Sequence, residues 1–218
     1  MDKFKDVNGY FTLQAIDKDG NVLDTIEGPN MIMETSKATM AQAIGGSNAT
    51  QASNNIIGSL TLGTTGNAPG DIFTPKLFDY ERTALFSQNG DDGTSASGTG
   101  DFWMVDFNIT SGSLVVENCG YFVWQGTNIV PVDDTIIEDC TITMNVTGSD
   151  AVFSFDIPIG TANKSANEAV AYTEASLCTC RNKDFSGGAS GDIFAMRTFP
   201  GKIKDDTTKF LITWKITF

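Results

Sequence analysis

Ten residues, Lys209–Phe218 ("KFLITWKITF"), put the strongest constraint on what this chain can fold into. Phe210, Ile212, Trp214, Ile216 and Phe218 fall on one side of an extended backbone, and Lys209, Leu211, Thr213, Lys215 and Thr217 on the other. Every position of one side is apolar at period two, the signature of a half-buried β-strand and incompatible with a helical face. The same alternation recurs upstream. Trp103, Val105, Phe107 and Ile109 share a side, as do Cys140, Ile142, Met144 and Val146, and then Phe153, Phe155, Ile157 and Ile159. Tyr121–Trp124 ("YFVW") reads as a strand buried on both faces. Near the start, "GYFTLQAI" and "VLDTIE" flank "DKDGN", whose Asp19-Gly20 pair suits a hairpin turn.

Only one stretch changes period. In "PNMIMETSKATMAQAIGG", Met33, Lys37, Met40, Ala41 and Ile44 recur at helical spacing, Asn30 can cap the start and Gly45 the stop. The pattern therefore predicts one short α-helix over about 31–44. Polar, glycine-rich loops are expected over about 45–55, 87–101 and 181–192, and loops of this length usually serve function or motion. Turn signals divide the strands at sandwich-like spacing. At 40% apolar residues, with 15 Phe, the chain can build a sizeable core. The expectation is one all-β domain over 1–218, an antiparallel two-sheet β-sandwich of jelly-roll-like kind with the helix near its N-terminus.

Charge narrows the partners. The net charge of −13 argues against binding nucleic acid or an anionic membrane. It is also uneven: in 195–218 five basic residues and two acids leave +3, whereas nine basic and 25 acidic residues leave 1–194 at −16. Lys209 and Lys215 are thus candidates for contact with a second copy, with edge protection as the plainer alternative. Asp91 and Asp92 in "NGDDG", and Phe185 in the last long loop, are the further interface candidates. No apolar run is long enough to span a membrane as a helix, and "MDKFKDVNGY" lacks the apolar stretch of a signal peptide, so synthesis in a cytosol is expected. Four cysteines (Cys119, Cys140, Cys178, Cys180) are expected as free thiols in that setting.

Chemistry finds little purchase. Without histidine there is no Ser-His-Asp or Cys-His arrangement, and with Cys178 and Cys180 at i, i+2 and no second close cysteine pair a zinc site is not expected. "DKDGN" resembles the start of a calcium loop, but Gly28 stands where the bidentate Glu should be. "DYER" (Asp79–Arg82) groups two acids and an arginine, readable as an acid/base site or, more plainly, an ion-paired strand start. Trp103, Trp124 and Trp214 would suit a sugar platform, although two lie in alternating core faces. No catalytic residue, cofactor or metal is expected, and the chain is expected not to be an enzyme.

One larger pattern remains. "PNMIM", a helix, "IIGSLTLGTTGNAP" (56–69) and "KLFDYER" (76–82) resemble an arrangement in structural proteins of tailed bacteriophages, where an N-x-I helix precedes a "GTG…P" turn and an "L…E..R" segment. The closing part resembles a phage ending in which an "E..L" element, here within "NEAVAYTEASL", precedes "ARTxF…I.K….L.ITW.I.F". Arg197, Phe199, Ile203, Lys204, Leu211, Thr213 and Trp214 occupy its positions, with Met196 inserted before Arg197. The resemblance touches residues 28–82 and 168–218. It implies a non-catalytic virion component, made in the host cytoplasm, that self-assembles symmetrically and contacts other virion proteins. A tail-, neck- or fibre-associated protein leads; a capsid decoration protein, or a module binding a host glycan or receptor, are the alternatives.

Overall fold

The alternation at Lys209–Phe218 becomes β11 (Thr208–Thr217), and its inward residues Phe210, Ile212, Trp214 and Ile216 are all fully buried. This is a computed structural model; it describes residues 7–36, 40, 57–89, 100–110, 113–125, 128–132, 140–165, 168–179 and 193–218. The other strands are β1 (Asn8–Asp17), β2 (Val22–Ile32), β3 (Ser59–Gly63), β4 (Phe102–Thr110), β5 (Ser113–Gln125), β6 (Asn128–Pro131), β7 (Thr141–Thr147), β8 (Asp150–Ile157), β9 (Val170–Cys178) and β10 (Ile193–Lys204). All pairings are antiparallel, in the order β6-β5-β4-β3-β9-β10-β2-β1-β11-β8-β7.

The all-β expectation holds, but among the described residues hydrogen bonding joins the strands into one curled sheet of eleven. The join is β2. Its first part pairs with β1, and its last two residues switch to β10, Met31 opposite Met196 and Ile32 opposite Ala195. Those pairings correct the predicted helix: Met31 and Ile32 are strand, and helical geometry starts only at Thr35. Met31 and the β-branched Ile32 find partners more than 160 residues away, which no local periodicity reveals. Most of the remaining predicted helix, and the predicted loops 45–55 and 181–192, lie outside the described residues. Of the predicted loop 87–101, Ser87–Asn89 belong to a short helix, α1 (Phe86–Asn89).

The curl brings the inner faces of the two halves together. Phe107 of β4 lies 5.7 Å, centroid to centroid, from Phe155 of β8; Tyr172 of β9 lies 6.2 Å from Phe210; Phe11 of β1 stacks at 5.6 Å on Phe199 of β10. Aromatic pairs at such separations add to plain area burial. Trp103 and Val105 of β4 and Leu60 and Leu62 of β3 complete this core. The predicted "YFVW" strand buries Tyr121 and Phe122, on opposite faces. The β1–β2 hairpin forms as expected. Gly20 adopts a φ of +85°, which only glycine takes without strain, and the Asp17 carboxylate accepts the N–H groups of Asp19 and Asn21 at 2.9 and 2.8 Å.

Two inward-facing sets are only partly covered. Cys140, Ile142, Phe153, Phe155 and Ile157 are buried, but Met144 is 37% exposed, Val146 is 62% exposed, and Ile159 lies beyond the end of β8. Alternation assigns a residue to a face; whether the opposite layer reaches that far is a separate matter.

Candidate functional site

β11 is an interior strand, paired with β1 from Thr208 to Thr217 and with β8 from Phe210 to Thr217, so Lys215 guards no edge and Lys209 sits at the end of the β8 ladder. Both project from its outer face and meet carboxylates of β8: Lys209 Nζ lies 3.0 Å from Asp156 and Lys215 Nζ 2.6 Å from Asp150. The other basic residues of 195–218 are likewise engaged. Arg197 donates to the carbonyls of Pro29 at 2.6 Å and Glu27 at 3.1 Å, Lys202 pairs with Asp24, and Lys204 is fully buried with Nζ 3.3 Å from the Asp205 carbonyl. Each of these basic side chains thus has a partner within the chain: a carboxylate for Lys202, Lys209 and Lys215, and backbone carbonyls for Arg197 and Lys204. Asp91, Asp92 and Phe185 lie outside the described residues. Replacing both Lys209 and Lys215 by Glu should leave the chain folded. Half-exposed pairs contribute little, so only a small fall in stability is expected, read as a slightly lower urea midpoint with unchanged slope.

The most constrained polar site surrounds a residue that the sequence did not single out. Glu174 sits in β9, between Gly63 of β3 and Thr198 of β10, and is fully buried. Its carboxylate accepts the backbone N–H of Phe86 and of Ser87, each at 2.8 Å, and the Ser87 hydroxyl at 2.6 Å. Arg82 adds its charge and lays its guanidinium 3.7 Å from the centre of the Phe86 ring. Burial drives the Glu174 carboxyl above its ordinary value, against the opposing pull of those donors and of Arg82. Ser87 in turn accepts the N–H of Thr64 at 2.8 Å and of Thr65 at 3.1 Å, while its carbonyl receives the Trp124 indole N–H at 2.8 Å. A side chain on Gly63 would collide with both Glu174 and Ser87, so only glycine allows this approach.

A sequence signal for Glu174 did exist. "AVAYTEASLC" is a run buried on both faces, and an acid there must find donors or neutralise itself. The partners, however, sit 87 and 88 residues earlier. Enclosed on all sides, the carboxylate holds α1 and the "GTTG" turn against the sheet and offers nothing to a solute.

The other candidates are placed apart from one another. Asp79 and Glu81 of "DYER" lie exposed in a turn, where Asp79 accepts the Glu81 N–H at 3.1 Å, while Arg82 turns inward. The segment is no strand start. Trp103 and Trp214 are fully buried and Trp124 is tied to Ser87. Cys178 is enclosed, and burial pushes its thiol up to about 11, the opposite of nucleophile activation. At the margin of the core the Tyr121 hydroxyl lies 3.3 Å from Asp101, which pairs with Lys164 at 3.2 Å; burial and that carboxylate raise the phenol well above its ordinary value. Comparison with protein-family models, with curated proteins and with solved structures finds no match to this chain.

Proposed function

We propose that this chain is a non-catalytic structural component of a tailed-phage virion: a tail-, neck- or fibre-associated protein that self-assembles as a symmetric oligomer, with its curled sheet serving as a sandwich of jelly-roll-like kind. One observation carries the proposal beyond the sequence resemblance. The residues that bear the resemblance brace one another across the fold. Arg197 of the closing pattern holds the carbonyls of Glu27 and Pro29, and Thr198 beside it donates to the Lys76 carbonyl of "KLFDYER" at 2.8 Å. Glu174 of the "E..L" element packs against Gly63 and Gly66 of "GTTG". Two segments far apart in sequence thus hold each other in place through backbone carbonyls and close glycine contacts, a bracing role that needs no catalytic group.

The partners on this view are further copies and other virion proteins, and the setting is the virion after synthesis in host cytoplasm. The test is to express a tagged chain during particle assembly, purify particles by density, and locate the tag by negative-stain imaging. A fixed stoichiometry on tails or collars supports the proposal, and a label on heads moves the assignment to capsid decoration. A monomer that stays with the soluble fraction sinks both.

A further inference from the structure

The eleven-stranded sheet is narrowest where its two halves meet. Among the described residues β2 and β10 share two ladder positions there, Met31 opposite Met196 and Ile32 opposite Ala195, followed by the Met33 N–H on the Phe194 carbonyl at 2.9 Å. Residues 76–89 cross that joint without adding a strand to it. On the β10 side the Thr198 hydroxyl donates to the Lys76 carbonyl at 2.8 Å, and on the β2 side the Glu34 N–H donates to the Tyr80 carbonyl at 2.8 Å. α1 then ends the crossing on Glu174 of β9, through the N–H groups of Phe86 and Ser87. The segment also packs on itself, with Lys76 Nζ 4.7 Å and the Arg82 guanidinium 3.7 Å from the centre of the Phe86 ring.

This crossing has a small core of its own. Leu85 and Phe86 cluster with Met33, Cys178, Ile193 and Met196, apart from the main core. Alternation explains the separation: Leu177 and Ala195 enter the main core, so Cys178 and Met196 beside them face the other way. We propose that residues 76–89 are a clasp on the joint, latched by Glu174, that opens as one unit while the main core stays folded. A satellite cluster under a long loop, tied by turn and side-chain hydrogen bonds in place of a ladder, is where opening free energies are low. Opening frees the outer side of the joint while the main core holds the inner side, which gives the two half-sheets a hinge. The inference goes beyond the virion reading and does not depend on it.

The test is hydrogen exchange on the full chain, resolved by residue with NMR, under conditions where exchange reports opening equilibria. The amides of Glu34, Phe86 and Ser87 should share one opening free energy, lower than that of the β1–β11 ladder. Ile212→Val, deep in the main core, weakens that core whether the clasp is shut or open. It should therefore speed exchange of the ladder several-fold and leave those three amides unchanged. Ser87→Ala removes a donor to Glu174 and the acceptor of the Thr64 and Thr65 N–H groups. It should speed exchange at Glu34, whose own hydrogen bond it leaves in place, about tenfold. Thr198→Val deletes only the hydroxyl on the Lys76 carbonyl, should act in the same direction more weakly, and serves if Ser87→Ala does not fold. Three amides as protected as the ladder, or moving in step with it in Ile212→Val, overturn the separate opening. A Glu34 amide indifferent to both clasp variants overturns the single unit.

Discussion

Deleting Trp214–Phe218 is expected to abolish the cooperative fold. Those residues carry the second half of β11, where Trp214 lies between Phe11 of β1 and Phe153 of β8, and Ile216 between Gly9 and Ala151. Without them two neighbouring strands lose their ladder at once, and the inward Phe11, which packs edge-on against Trp214 at 4.8 Å, faces a void. Trp214→Ala alone should cost about 3–5 kcal/mol, a large part of the 5–15 kcal/mol typical of a domain. Trp214→Phe is the informative partner. The buried Trp214 indole N–H has no hydrogen-bond partner among the described residues, so the smaller ring removes an unpaired donor along with the volume. Its loss should therefore be clearly smaller than that of Trp214→Ala. Urea unfolding of the three proteins decides: a deletion variant with a wild-type midpoint, or Trp214→Phe as damaging as Trp214→Ala, would sink this account of β11.

What the sequence revealed about this strand, and what it hid, divides along a physical line. Alternation is a local property, so the buried face of β11, the hairpin at Asp19-Gly20 and the inward residues of β4 and β8 were legible. Pairing is not local. Lys209 and Lys215 could be placed on the outer face, but not beside Asp156 and Asp150, which lie 53 and 65 residues earlier. The same blindness turned Met31 and Ile32 into a helix start, because their β10 partners lie so far along the chain. It also left Met144 and Val146 in the core, because alternation says nothing about where the facing layer stops. Glu174 was missed for a related reason: its neighbours announced burial, while the donors that make burial tolerable came from a turn that no periodicity describes.

Glu174 therefore supplies the second large effect. Glu174→Ala should destabilise the chain by about 3–5 kcal/mol, because two backbone N–H groups, a hydroxyl and the Arg82 charge lose their acceptor in a buried place. Glu174→Gln keeps the volume and one acceptor oxygen but turns an amide N–H₂ toward a donor, so an intermediate loss is expected, widest at acidic pH. The pH dependence carries the sign of the burial. Since the folded carboxyl titrates above the ordinary 4.5, the folded state holds its proton where the unfolded chain has released it. The contribution of Glu174 is then fullest below pH 4.5 and declines as the pH rises through the folded value, whereas that of Glu174→Gln stays flat. Asp24 and Asp150, held below 3.8 by Lys202 and Lys215, act in the opposite sense, losing stabilisation as the pH falls, but they are common to both proteins and cancel in the difference. Urea midpoints of the two proteins, taken across the acidic range up to neutrality, should converge as the pH rises. Divergence would mean that the brace works as an ionised carboxylate, with its three donors and Arg82 outweighing burial.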